Sequence, residues 1–134
     1  MHATNIVTSF LINSGEILLL KRSEKVKSMK NLWAGISGII EGDEEPIERA
    51  KIEIFEEVGI KKSEITLVKQ GDLTIIESPQ YDNHEWKVYP FLFSCNEREI
   101  KLNWENSDSK WININELNDF TTVPSLDKVL ARLF

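Results

Sequence analysis

The sequence predicts an α/β (α+β) fold, a sheet accompanied by helices, on three observations. Short runs of β-branched and aliphatic residues recur along the chain and are separated by turn chemistry. Between Pro46 and Val58 the apolar period changes to that of a helix, and the last dozen residues repeat that helical period. The 134 residues fit one domain spanning 1–134, long enough to bury a core without disulfide or zinc staples. An apolar fraction of 41% and a charged fraction of 28% are those of a globular chain.

Taken in order, Ile6 to Ile12 and Ile17 to Lys21 read as a hairpin closed by Asn13-Ser14-Gly15. Trp33 to Ile40 mixes Gly35, Ser37 and Gly38 with apolar residues, which predicts a strand whose backbone is closely approached. Ile47, Ala50, Ile54 and Val58 then recur at helical spacing, with Ile52 and Phe55 widening the apolar face. Pro46 suits the first helical turn, Asp43, Glu44 and Glu45 complement the helix dipole, and Gly59 supplies a left-handed stop. Ile65 to Val68, Leu73 to Glu77 and Trp86 to Ser94 read as further strands, with a polar loop from Ser78 to Glu85. Trp111 to Ile114 reads as a short strand, and Val123 to Phe134 as a closing amphipathic helix.

Composition excludes several function classes. Sixteen basic and twenty-two acidic residues give a net charge of −6, with no basic run able to track a long nucleic acid. The longest aliphatic run, Ile17 to Leu20, is far short of a membrane span, and the N-terminus lacks the order of a signal peptide, so a cytoplasmic protein without a membrane partner is expected. Cys95 has no second cysteine to pair with and reads as a small buried hydrophobe. Two histidines without thiol partners disfavour structural zinc.

On a helix turning about 100° per residue, Glu56 lies near −60° and Glu57 near +40° from Glu53, so three carboxylates share a face. Like charges at these spacings, at the end where the dipole disfavours anions, cost a few tenths of a kcal/mol per pair. Spacing alone leaves a solvated acidic face and a metal site evenly matched. The glycine-bearing strand and acidic loop just upstream favour the metal site, since a hard cation uses carboxylate and backbone oxygens.

Gly38, Glu44, Glu53, Ile54, Glu56, Glu57, Gly59 and Ile60 stand in the register of the Nudix box. The chain therefore resembles the Nudix (MutT-like) hydrolases over about a sixth of its length, a match with many fixed positions. The resemblance implies a Nudix-type α/β/α sandwich with a mixed β-sheet between helices. It implies that Glu53, Glu56 and Glu57 bind a divalent metal, Mg²⁺ or alternatively Mn²⁺, with the Gly38 carbonyl as a further ligand and Glu44 as support. An acid from a later loop is expected as well, and Glu105, six residues before Trp111, is the candidate, ahead of Glu77, Asp82 and Glu85. Ile52 occupies the position of the family's arginine, and Ser37 that of a frequent second glycine. Arg49, one turn before Glu53, is the expected substitute; the alternative for Ile52 is simple packing beneath the helix.

The activity so implied is hydrolysis of a diphosphate linkage in a small nucleotide-type substrate, with Glu53, Glu57 or Glu105 assisting proton removal. Arg22 is a candidate phosphate contact, with an ordinary surface cation as the equal alternative, and Trp33 and Tyr81 are candidate stacking residues, with Trp86 and Tyr89 behind them; core packing is the favoured reading for Trp33 and Trp86, and the two readings are equal for Tyr81. His84 reads as a loop histidine. A non-hydrolytic nucleotide-binding module is the rival function, and a homodimer is an expected assembly because such dimers are common in the family.

Overall fold

The computed structural model of the chain describes residues 2–77 and 84–134. Strands β1 (His2–Asn13) and β2 (Glu16–Arg22) form the expected hairpin, with Ile12 opposite Ile17. Ser14 and Gly15 turn it with φ of 51° and 79°, the left-handed pair whose twist matches that of the flanking strands.

The single strand expected over residues 33–40 is two. β3 (Trp33–Ala34) pairs with β2, whereas β4 (Ile36–Ile39) pairs with β1, so the chain changes neighbours at Gly35. The crossing is tight: a Cβ on Gly35 would lie 2.8 Å from Phe10 Cε1 and 3.0 Å from the Ser9 carbonyl oxygen.

Helix α1 (Pro46–Val58) has the expected limits, with Pro46 in its first turn and Gly59 (φ 77°) ending it. Ala50, Ile54 and Val58 are completely buried against the sheet. Ile52 and Phe55 do not widen that face; they are 40% and 54% exposed, because the flank of the buried stripe is taken by Glu53 and Glu57.

Four more strands follow: β5 (Ile65–Gln70), β6 (Thr74–Glu77), β7 (His84–Cys95) and β8 (Asn106–Ile112). His84 and Glu85, expected in a loop, open β7; residues 78–83 of that segment lie outside the described residues. β7 runs parallel to β1 from His2 opposite His84 to Ile12 opposite Ser94. Parallel neighbours need a long crossover, and the one here contains α1. β5 and β6 pair antiparallel with the two halves of β7, and β8 pairs antiparallel with β2.

Two expectations near the C-terminus are corrected. β8 starts at Asn106 instead of Trp111, and Ile114 belongs to a 3₁₀ turn over Ile114–Asp119 capped by the Asn113 side chain. Helix α2 is only Leu126–Ala131, since Ser125 before it has φ 67° and residues beyond Ala131 unwind.

The alternation of strand side chains builds two cores. Val7, Leu11, Leu18 and Leu20 meet α1 on one face, joined by Phe91 and Phe93. Phe10, Ile17, Leu19, Val88 and Leu92 meet α2 on the other. A mixed sheet between helices, the expected sandwich, is the result. Among the described residues no helix is long and apolar enough to cross a membrane. Replacing Gly35 by Ala should lower unfolding free energy by about 1–3 kcal/mol through overpacking against Phe10. Urea titration, with the m-value unchanged, measures this.

Candidate active site

The helix period places Glu53 and Glu57 on the flank of α1 facing the sheet, where both are buried, and leaves Glu56 exposed. Gly38, opposite Val7 in β4, gives Glu53 its space: a Cβ there would sit 2.3 Å from Glu53 Cγ and Cδ. Any side chain at position 38 would therefore evict the glutamate.

Arg49 fixes the other side of Glu53. Its Nη1 donates to Glu53 Oε2 at 3.0 Å, while Nε and Nη2 donate to the two oxygens of Glu44 at 2.9 and 2.6 Å. Glu44 Oε1 also accepts the Glu41 amide at 2.7 Å. These bonds, Arg49 foremost, hold the Glu44 carboxyl below its ordinary range. Glu53 moves the opposite way, because burial outweighs the Arg49 bond and the nearby Glu56 and Glu105 charges add to it.

Glu57 lies deepest. Its Oε1 accepts from Asn106 Nδ2 at 3.1 Å, and its Oε2 is buried with no hydrogen-bond partner. Burial, then the charge of Glu105, pushes its carboxyl up to about 9. Asn106 reaches it because β8 pairs with β2, which sets Asn106 opposite Arg22 at a register shift in the ladder.

The same pairing delivers Glu105. Its carbonyl accepts the Ser23 amide at 2.8 Å, the Ser23 hydroxyl bonds the Trp104 carbonyl at 2.7 Å, and its carboxylate accepts from Asn103 at 3.3 Å. The Arg22 guanidinium donates twice to the Ser28 carbonyl, at 3.2 and 3.0 Å. Burial lowers the Arg22 pKa, against the opposing pull of Glu57 and Glu105.

A cleft of about 460 Å³ joins these groups. Arg22, Arg49, Glu53 and Glu105 line its charged end together with Gly38; Ile76, Trp86, Val88 and Leu126 line an apolar stretch over the α2 face of the sheet.

Of the expected site residues, Gly38, Glu53, Glu57, Glu105 and Arg22 are thus brought together, while Glu56 is exposed on the same helix. Trp33 is not among them. It is buried in the α2-side core, edge-on to Phe120 at 5.2 Å, and does not line the cleft. Tyr81 and Asp82 lie outside the described residues. Glu77 and Glu85 face each other across β6 and β7 and do not line the cleft. Tyr89 packs against the α1-side core.

Sequence reasoning missed Asn106, which no spacing signals; Trp86, read as core, packs against the α2-side core and also borders the cleft. Trp86 is half-buried at the cleft wall, with the His84 ring 4.8 Å behind it and His84 Nε2 2.9 Å from Thr4 Oγ1. Among the described residues no three acidic, histidine or cysteine side chains are gathered closely enough to grip an ion as they stand. Arg49 engages one of the acids, Asn106 another, and Glu56 points to solvent.

A NUDIX domain model matches residues 2–133, and the chain belongs to the Nudix hydrolase family. Its fold is similar to that of the MutT protein from Methanosarcina mazei Go1, with a TM-score of 0.76 and 24% identity over 98% of this chain and 92% of that one. An Ap4A hydrolase from C. elegans, in a binary complex, gives a TM-score of 0.75 and 18% identity over 99% and 95%. A NUDIX hydrolase from Nitrosomonas europaea gives 0.79 and 13% over 98% and 88%. At these identities the likeness is one of fold.

The raised Glu57 pKa makes stability pH-dependent in the presence of a chelator. Below the ordinary carboxylate range both folded and unfolded chains carry the proton. As pH climbs towards about 9 the unfolded chain releases it while the folded chain keeps it, so stability falls, and it levels off above that value. Urea midpoints measured across this range should decline for the native sequence and lose most of that slope in Glu57→Gln.

Proposed function

We propose that the chain hydrolyses a diphosphate linkage in a nucleoside di- or triphosphate, or in a nucleoside diphosphate joined to another group, with Mg²⁺ as cofactor and Mn²⁺ as an alternative. The observation that carries this reading is the buried, unpartnered Oε2 of Glu57, close enough to Glu53 and Glu105 to feel their charge, those two acids themselves lining the charged end of a cleft. A carboxylate oxygen withheld from water is costly unless a cation meets it.

The donor set suits a hard cation. Glu53, Glu56, Glu57, Glu105 and the Gly38 carbonyl offer oxygen only, the ligand type that Mg²⁺ takes. Glu56, being exposed, has rotamers to choose from, so side-chain adjustment is what gathers the set. Bound there, the ion supplies charge neutralisation of the phosphates and a more acidic water.

The protein's own groups do the rest. Arg22 faces the same end of the cleft and offers a guanidinium to a phosphate oxygen. Glu57, Glu53 or Glu105 accepts the proton of the attacking water. Water attacks phosphorus, the bond to the bridging oxygen breaks, and that oxygen leaves with the departing phosphate. Trp86 at the apolar stretch is the surface on which the organic moiety stacks.

Product analysis across nucleoside triphosphates, nucleotide sugars, ADP-ribose and dinucleoside polyphosphates, with and without Mg²⁺, tests the reading. Mg²⁺-dependent cleavage of at least one class is expected, and its absence from every class overturns the reading in favour of a binding module. Glu57→Gln should lower kcat by about a hundredfold or more. Trp86→Ala should raise KM about tenfold and leave kcat less affected, as loss of one stacking contact predicts.

A further inference from the structure

Ile52 holds the position where the resemblance places an arginine, and Arg49 is the arginine found on the same helix. Ile52 is 40% exposed, so it neither packs beneath α1 nor reaches the site. Arg49 lies one turn before Glu53, and its side chain is only 13% exposed.

We propose that Arg49 is the positioning residue of this site, holding Glu53 in one orientation against Gly38 by bracing it to Glu44. The inference rests on the hydrolytic reading above, in which Glu53 serves the reacting centre.

The geometry is that of a brace and not of a surface ion pair. Exposed pairs contribute little because both side chains are free to wander. Here Glu44 is 24% exposed and Glu53 11% in their side chains, and one guanidinium serves both. Two of its N–H groups fork onto the two Glu44 oxygens, which fixes the plane of the guanidinium. Glu44 is itself tied to the Glu41 amide, so the anchor belongs to the loop before the helix and not to α1.

The third N–H, from Nη1, then takes only Glu53 Oε2. From the other side Glu53 lies in the space that the absent Gly38 side chain leaves, close enough that a Cβ there would overlap it. Glu53 is thereby held between the glycine of a strand and a cation whose direction is set by the loop. Lysine cannot reproduce this, because it offers a point charge where a planar fork is required.

Arg49→Lys is the primary variant, as it keeps the charge and so the balance of the acidic cluster; Arg49→Ala is the second. The expected result is a kcat at least tenfold lower in both, with KM for the substrate within about threefold of the native chain, the pattern of an interaction used in the transition state. Mn²⁺ titration followed by electron paramagnetic resonance should show weaker binding in both variants at unchanged melting temperature for Arg49→Lys. Ile52→Ala should leave kcat within about twofold, as an exposed residue outside the brace.

Native-like kcat in Arg49→Lys and Arg49→Ala overturns the inference, as does a loss confined to KM, or a loss of kcat in Ile52→Ala equal to that in Arg49→Ala. A native chain that cleaves no diphosphate in Mg²⁺ overturns the hydrolytic reading itself. A native chain that turns over while Arg49→Lys matches it overturns only the role given to Arg49.

Discussion

A carboxyl group buried at the end of a helix with one oxygen unpartnered is the constraint around which this molecule is arranged. Glu57 is 4% exposed, and the helix dipole at its position already disfavours a negative charge. An isolated buried charge costs several kcal/mol, so the folded chain either keeps the proton or presents the group to a cation. Glu105 and Glu53 raise that cost, and Arg22 lowers it only in part. The local free energy of the acidic end is therefore poor, and the rest of the fold must hold it in place.

Two anchorages do so. Ala50, Ile54 and Val58 lock α1 onto the sheet along one stripe, and the turn at Gly59 lets the chain leave without unwinding the turn that carries Glu57. The ladder between β2 and β8 brings Asn106 and Glu105 from a distant part of the chain to the same place. Charged groups are consequently concentrated at one end of the cleft, and the apolar wall formed by β6, β7 and α2 lies at the other. A ligand with an anionic part and a stacking part matches that polarity along its length.

Much of this is legible in the sequence where one residue type has one physical use. The limits of α1 follow from Pro46, the buried stripe and Gly59, and the hairpin from Ser14 and Gly15. Gly38 announces a close approach, although only in the folded chain is Glu53 seen to be what approaches. The failures come where a residue has two uses. Trp33 and Trp86 are both strand tryptophans on the α2 side of the sheet, and nothing in their neighbours tells which is enclosed and which also borders the cleft. Ile52 and Phe55 match an apolar stripe by spacing, yet the helix turns them outward because acids occupy the flank. Asn106 is an amide without pattern, visible only once β8 is paired. α2 is shorter than its apolar period because the left-handed Ser125 follows Pro124, a tertiary choice that periodicity does not record.

The parallel pairing of β1 with β7 has a kinetic consequence. Partners such as His2 and His84 are separated by most of the chain, and the antiparallel union of β2 with β8 spans a similar distance. Closing such loops costs entropy before any contact repays it, and topologies dominated by distant pairings fold slowly. During synthesis the first hairpin emerges long before its parallel partner. Residues such as Leu11 and Phe10 must wait for β7 with their strand's outer hydrogen bonds unmade. The acidic site needs α1, β4 and β8 together, so it too depends on these distant pairings.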